Sequence, residues 1–152
     1  LRIQKFLVFE ACNAKQALLT MDKHPDIKMV ITDYNLPNID GFELIGRLRK
    51  SYSMEQLAII GISSQTSDLP SVKFLKNGAN DFVKKPFMPE ELNLRIKQNI
   101  EILESFEALR KASNTVSRHE SGLLCKSPGG DTPSAITRSP NCPVTCGRQT
   151  NT

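Results

Sequence analysis

Three polar residues stand directly behind apolar runs in separate parts of the chain. Asp33 follows Met29-Val-Ile-Thr, Ser63 follows Ala58-Ile-Ile-Gly-Ile, and Lys85 comes two positions after Asp81-Phe-Val83. Such runs read as buried strands. An ionised carboxylate at the mouth of one needs compensation, from a local turn or from a cationic partner. If the strands are neighbours in a parallel sheet, about 4.8 Å apart, Ser63 lies one spacing from Asp33 and the base of Lys85 two, which a lysine side chain can cover. A carboxylate, a hydroxyl and an ammonium meeting at one point suit phosphoryl transfer: the carboxylate attacks phosphorus to give an aspartyl phosphate, and the donors neutralise the equatorial oxygens. Singly, each residue has a plainer role. Asp33 caps a turn, Ser63 fills a small buried space, and Lys85 is half of a solvated basic pair with Lys84. Their joint placement at three strand ends favours a site.

The elements that must position them alternate along residues 5 to 111. Short apolar runs, Phe6-Leu-Val-Phe9, Met29-Val-Ile31, Ala58-Ile-Ile-Gly-Ile62 and Asp81-Phe-Val83, are separated by amphipathic stretches at roughly 14 to 23, 42 to 51 and 68 to 77. Nearly continuous apolar runs suit strands covered on both faces, and the alternation predicts strand-helix-strand units around a parallel sheet. Asn77-Gly78 supplies a left-handed stop for the third helix. A last helix opens at Pro89 with Glu90 and Glu91 at its positive end, and Leu92, Ile96, Ile100, Leu103 and Phe106 keep helical spacing. It is expected to run from 89 to about 111, longer than the sheet needs, with the excess a connector. Residues 112–152 are rich in Ser, Thr, Pro, Gly and Asn and lack apolar periodicity, so this tail is expected to be disordered. Within it, Cys142-Pro-Val-Thr-Cys146 is at most half of a metal site, for want of a second ligand pair.

A length of 152 residues fits one domain plus an appendage, and a net charge of +4 with scattered basic residues is no nucleic-acid footprint. Four cysteines without a C-x-x-C pair suit a reduced, cytoplasmic chain. The apolar stretch near the start is too short for a leader, and no segment is long enough to span a membrane.

Several motifs together resemble the response-regulator receiver domain of two-component signalling over residues 5 to 104. "MVITDYNLPNIDGFEL" resembles the segment around the phosphoacceptor aspartate, and "LAIIGISSQTS" the strand ending in the switch serine or threonine. "GANDFVKKPFMPEEL" resembles the Lys-Pro segment before the last helix, and "FEACNAKQALL" the second strand and helix. The resemblance implies a flavodoxin-like α/β fold, doubly wound about a parallel sheet, with residues 1–111 as the receiver domain. It implies a signalling module rather than an enzyme, which takes a phosphoryl group from a sensor histidine kinase or phosphotransfer protein onto Asp33. Lys85 would pair with the phosphoryl group, Ser63 would hydrogen-bond another of its oxygens, and Ser63 with Phe82 would form the switch. Mg²⁺ would be held by Asp33 and the Asn35 backbone carbonyl. A cis Lys85-Pro86 bond is also implied, as is an effector surface around residues 68–104. Asp40 and Gly41 have the simpler role of a turn before the second helix.

The family pattern places another strand, ending in two acidic residues, and a helix before "FLVFEA". Only four residues precede that strand here, so the chain is expected to be N-terminally truncated. Mg²⁺ binding is then weakened or absent, and the sheet either opens between the first two strands or closes by re-pairing them. An unpaired apolar edge invites association with another chain, so an unstable, swapped or inactive product is expected. A second reading follows: a degenerate receiver that makes protein contacts without phosphate. A third, an aspartate-nucleophile phosphatase of the haloacid dehalogenase type, fails because Asn35 stands where that family's D-x-D opening needs its second carboxylate.

Overall fold

The computed structural model describes residues 5–64, 69–118 and 144–150. Strand β1 (Lys5–Ala11), helix α1 (Ala14–Lys23) and strand β2 (Met29–Asp33) come first, then α2 (Gly41–Ser51), β3 (Ala58–Ser63), α3 (Leu69–Lys76) and β4 (Asp81–Lys84). The long α4 (Pro89–Arg118) and a fifth strand, β5 (Val144–Thr150), complete the order. The four expected strands and four expected helices all form. Local chemistry explains their starts: the Asn13 side chain accepts from the Gln16 amide at 2.8 Å while the Gln16 side chain accepts from Cys12 N at 2.9 Å, a reciprocal cap. Gly78, at φ 99°, closes the turn after α3 in the left-handed conformation expected of it.

The sheet has the order β1-β5-β2-β3-β4. β2, β3 and β4 pair in parallel, with Asp33 opposite Ile62 and Ser63 opposite Lys84. Helices cover both faces, which is why the strand runs carry almost no polar residues. On one face Val30 and Ile59 pack with Ala17, Met21, Leu44, Ile45, Leu48 and Phe74 from α1, α2 and α3. On the other, Met29, Ile31, Ile60, Ile62 and Val83 meet Leu92, Ile96, Ile100 and Leu103 of α4. Alternate residues of one strand thus serve opposite cores.

β5 corrects two expectations. The sheet neither opens nor re-pairs between β1 and β2: Val144–Thr150 lies between them, antiparallel to both, with Ala11 and Thr32 each opposite Val144. The tail expected to be disordered from residue 112 therefore contributes a strand, and its first residues, 112–118, continue α4. Backbone ladders on two sides explain how so unpatterned a segment pairs, since main-chain bonds need no particular side chains. Residues 119–143, and with them Cys142, lie outside the described residues.

Arg49 ties the foot of the sheet together. From the last turn of α2 its guanidinium donates to the carbonyls of Gly78, Tyr52, Ser53 and Leu57 and to Asn80 Oδ1, at 2.6 to 3.3 Å. Asn80 Oδ1 also accepts from Ile59 N at 2.8 Å. One side chain thereby joins α2, the loop before β3 and the turn before β4.

Candidate functional site

Asp33 is the last residue of β2, and Lys85 follows β4 directly. The Lys85 ammonium donates to Asp33 Oδ2, an ion pair that bridges the width of β3. The Asn35 amide donates to Asp33 Oδ1 at 3.2 Å, so both carboxylate oxygens have a donor. Their side chains keep 18% (Asp33) and 31% (Lys85) exposure, leaving the pair open to a reactant along the sheet edge. Partial burial strengthens the attraction without isolating it from water.

Ser63 ends β3 between the other two. It is buried, and its carbonyl accepts from Lys85 N at 2.8 Å. The structure therefore brings the acid, the hydroxyl-bearing residue and the amine to one edge of three adjacent strands, as the spacing of the apolar runs predicts. The Lys85-Pro86 peptide bond is cis, as the resemblance implies. Phe82 is partly buried, its ring 5.4 Å from that of Phe74, which in turn packs against Phe42 at 4.8 Å.

The loop after Asp33 is set by α2. Asp40 caps that helix by accepting from Glu43 N at 2.8 Å, and Gly41 N donates to the Tyr34 carbonyl at 2.9 Å. Gly41 does more than make a turn: a Cβ there would lie 2.5 Å from the Asp33 carbonyl oxygen and 3.2 Å from Tyr34 Cα. Backbone cannot swing aside as a side-chain tip can. Gly41→Ala is expected to displace the main chain at Asp33, costing about 1–3 kcal/mol in stability and shifting the amide resonances of Asp33 to Asn35 in an NMR spectrum. Unmoved resonances would show that the helix start absorbs the methyl group instead.

A cavity of about 280 Å³ lies elsewhere, lined by residues that include Ile27, Lys28, Tyr52, Leu103 and Glu107, and by none of Asp33, Ser63 and Lys85. Its wall carries the Lys28–Glu107 and Lys111–Glu107 ion pairs, at 3.9 and 3.2 Å.

The chain matches the response regulator receiver domain over residues 1–97 and belongs to that family. It is 30% identical over 93 residues to the two-component response regulator ORR7 of Oryza sativa subsp. japonica, a match that covers 61% of this chain and 44% of that protein. To the chemotaxis protein CheY homolog of Campylobacter jejuni it is 31% identical over 90 residues, covering 59% and 69%. Among solved structures, one described as a two-component system response regulator/GGDEF domain protein is 50% identical with a TM-score of 0.58, covering 60% of this chain and 37% of that one. The receiver domain of NtrX from Brucella abortus is 27% identical with a TM-score of 0.55, covering 60% and 75%. Two of these four matches thus reach less than half of the other protein.

Receiver domains are generally signalling modules rather than enzymes, and Mg²⁺ is their typical metal. The donors here fit it poorly. Among the described residues no three of His, Cys, Asp or Glu group together, and Asp33 is already paired with Lys85. Beside it, in the slot between β1 and β2, the strand end is the buried, apolar Val144. A hard dication prefers more carboxylate oxygen than this.

Proposed function

We propose that this chain is a phosphoacceptor module of a two-component phosphorelay, with Asp33 taking a phosphoryl group from a histidine kinase or phosphotransfer protein. The observation that carries the reading is the Lys85–Asp33 ion pair at the edge shared with Ser63. An Asp33 oxygen attacks phosphorus, the P–N bond to the donor imidazole breaks, and the imidazole leaves with the bonding pair. The carboxylate becomes an acyl phosphate and the local charge falls by about one, so the Lys85 ammonium, already in place, offsets the added negative charge. The Ser63 hydroxyl is the donor for a second phosphoryl oxygen, and its movement lets Phe82 follow. The output is a changed surface around residues 68–104 that a downstream protein reads. The proposed compartment is the cytoplasm, where such donors work; among the described residues no helix is long and apolar enough to cross a membrane.

The test is labelling with a small phosphoryl donor such as acetyl phosphate. The wild-type chain should gain a hydroxylamine-labile phosphoryl group, and Asp33→Asn should gain none while keeping its fold by circular dichroism. Equal labelling of both chains would end the reading. A second reading, phosphate-independent protein contact through the same surface, is favoured by the poor metal donor set. It predicts that Asp33→Asn leaves partner binding unchanged.

A further inference from the structure

We propose that the cavity between the foot of the sheet and the far part of α4 is a second binding site, one that takes a small aromatic carboxylate.

Its walls come from three places. Ile27 and Lys28 lie on the stretch before β2, Tyr52 and Gln56 on the stretch before β3, and α4 closes the third side between Leu103 and Asn114. The first two walls are fixed by the protein itself. Ala58 N donates to the Lys28 carbonyl at 2.9 Å, and Lys28 N to that of Gly147 at 3.0 Å. The Arg49 guanidinium holds the carbonyls of Tyr52, Ser53 and Leu57, while Ser53 N donates to Gln56 Oε1 at 3.0 Å. A pocket built in advance costs its ligand little ordering. The volume, about 280 Å³, is at the lower end of small-molecule sites, so the occupant is small.

The lining has two characters. Ile27 and Leu103, only 1% and 6% exposed, and the half-buried Tyr52 make one side apolar. Charge gathers on the helix. Glu107 faces Lys28 at 3.9 Å and Lys111 at 3.2 Å, so one carboxylate serves two ammonium groups. Arg110, beside Lys111, makes no ion pair or side-chain hydrogen bond among the described residues, with Glu55 or with any other. Three cations against two carboxylates, Glu55 and Glu107, leave the lining at +1.

The chemistry that matches is one negative group joined to a flat apolar body. A carboxylate accepts two parallel bonds from a planar guanidinium, which Arg110 has to offer. A ring fills the apolar side against Ile27, Tyr52 and Leu103. The Tyr52 hydroxyl, without a partner among the described residues, is a further donor in the lining. An inorganic anion uses only the charged side of this cavity, and a neutral ring only the other. Bound there, the ligand touches both the foot of the sheet and α4, so its occupancy is coupled to the setting of that helix. Lys28 stands five residues before Asp33, about 16 Å away along the strand, which keeps this cavity apart from the Asp33–Lys85 pair.

The experiment uses the full chain, isotopically labelled and followed by its amide resonances. It is titrated at constant ionic strength with sodium benzoate, sodium acetate and benzamide, each to about ten times the dissociation constant expected for benzoate. Benzoate should shift the amides of Ile27, Lys28, Tyr52, Gln56 and Leu103 together, saturating with a Kd on the order of 1 mM, the strength open to so small a molecule. Acetate, which lacks the ring, and benzamide, which lacks the charge, should each bind about tenfold more weakly or worse. Arg110→Gln, at an exposed position and with a residue of similar helix propensity, should weaken benzoate about tenfold while leaving the free spectrum unchanged away from the helix. The absence of a saturable benzoate shift would overturn the proposal. So would acetate acting as strongly as benzoate, which means an adventitious ion only, benzamide binding as tightly, or Arg110→Gln binding benzoate as the wild-type chain does. The shifts require no phosphoryl transfer, so this site and the phosphoacceptor reading fail separately.

Discussion

Arg49→Met is expected to lower stability by about 3 kcal/mol, because four backbone carbonyls and the Asn80 side chain lose their donor at once. Methionine keeps the aliphatic stem but none of the bonds. The site is half-buried, so water replaces some of them, and the loss stays below what five fully buried bonds would give. Urea unfolding should show a lower midpoint at an unchanged slope. Arg49→Lys should recover less than half, since one ammonium cannot span acceptors spread around a planar fork. Burial pushes the Arg49 pKa down to about 10, well above neutrality, so the group stays charged in use. The folded protein holds this proton less tightly than the unfolded chain, so the contribution changes only above pH 10, where it rises. The deficit of Arg49→Met should therefore be the same at pH 6 and pH 9. A loss under about 1 kcal/mol would mean that the loops it joins hold themselves.

Gly61→Val should be more damaging still. A Cβ at Gly61 would meet three ring atoms of Phe74 at 2.5 to 2.7 Å, and Phe74 is fully buried. The ring cannot retreat, because Phe42 and Phe82 sit 4.8 and 5.4 Å from it. A glycine inside a strand ordinarily weakens it; here it makes room for an aromatic ring laid directly on the sheet backbone. Alanine should cost about 1–3 kcal/mol and valine more, enough to leave the chain unfolded at 37 °C. The diagnostic measurement is the double variant Gly61→Ala/Phe74→Leu. Phe74→Leu alone leaves a partial void, yet combined with Gly61→Ala it should restore more than half of the lost stability, a coupling that independent sites would not show. Additive losses would mean that Gly61 is needed for its backbone freedom rather than for the space it leaves.

The gathering of Asp33, Ser63 and Lys85 at one edge was legible in the sequence because parallel strands buried on both faces leave long apolar runs, and a polar residue at the end of such a run stands out. Asp33, Ser63 and Lys85 were each readable that way, and the register then brings them together. Arg49 was not. Among Arg47, Arg49 and Lys50 at a helix end it reads as one more solvated charge, and the signal that separates it is position: it follows Ile45 by four residues, on the flank of the buried face. Gly41 was readable as a turn but not as a close neighbour of Asp33, since only coordinates place the helix start against that carbonyl. β5 was the least legible element. Val-Thr-Cys-Gly-Arg-Gln-Thr has neither alternation nor an apolar run, and what pairs it is a gap left by two strands more than a hundred residues earlier.

α4 begins four residues after Lys85 and ends at Arg118, beyond the foot of the sheet. A continuous helix is stiff along its axis, so it acts as a pointer seated on the α/β body. A tilt of about 10° where it rests on β3 and β4 would swing its far end, about 16 Å past Glu107, through about 3 Å. That is a side-chain-sized displacement, enough to make or break contacts between whatever is attached there and its neighbours. A small adjustment near Lys85 would thus be magnified mechanically before it reached the rest of the polypeptide.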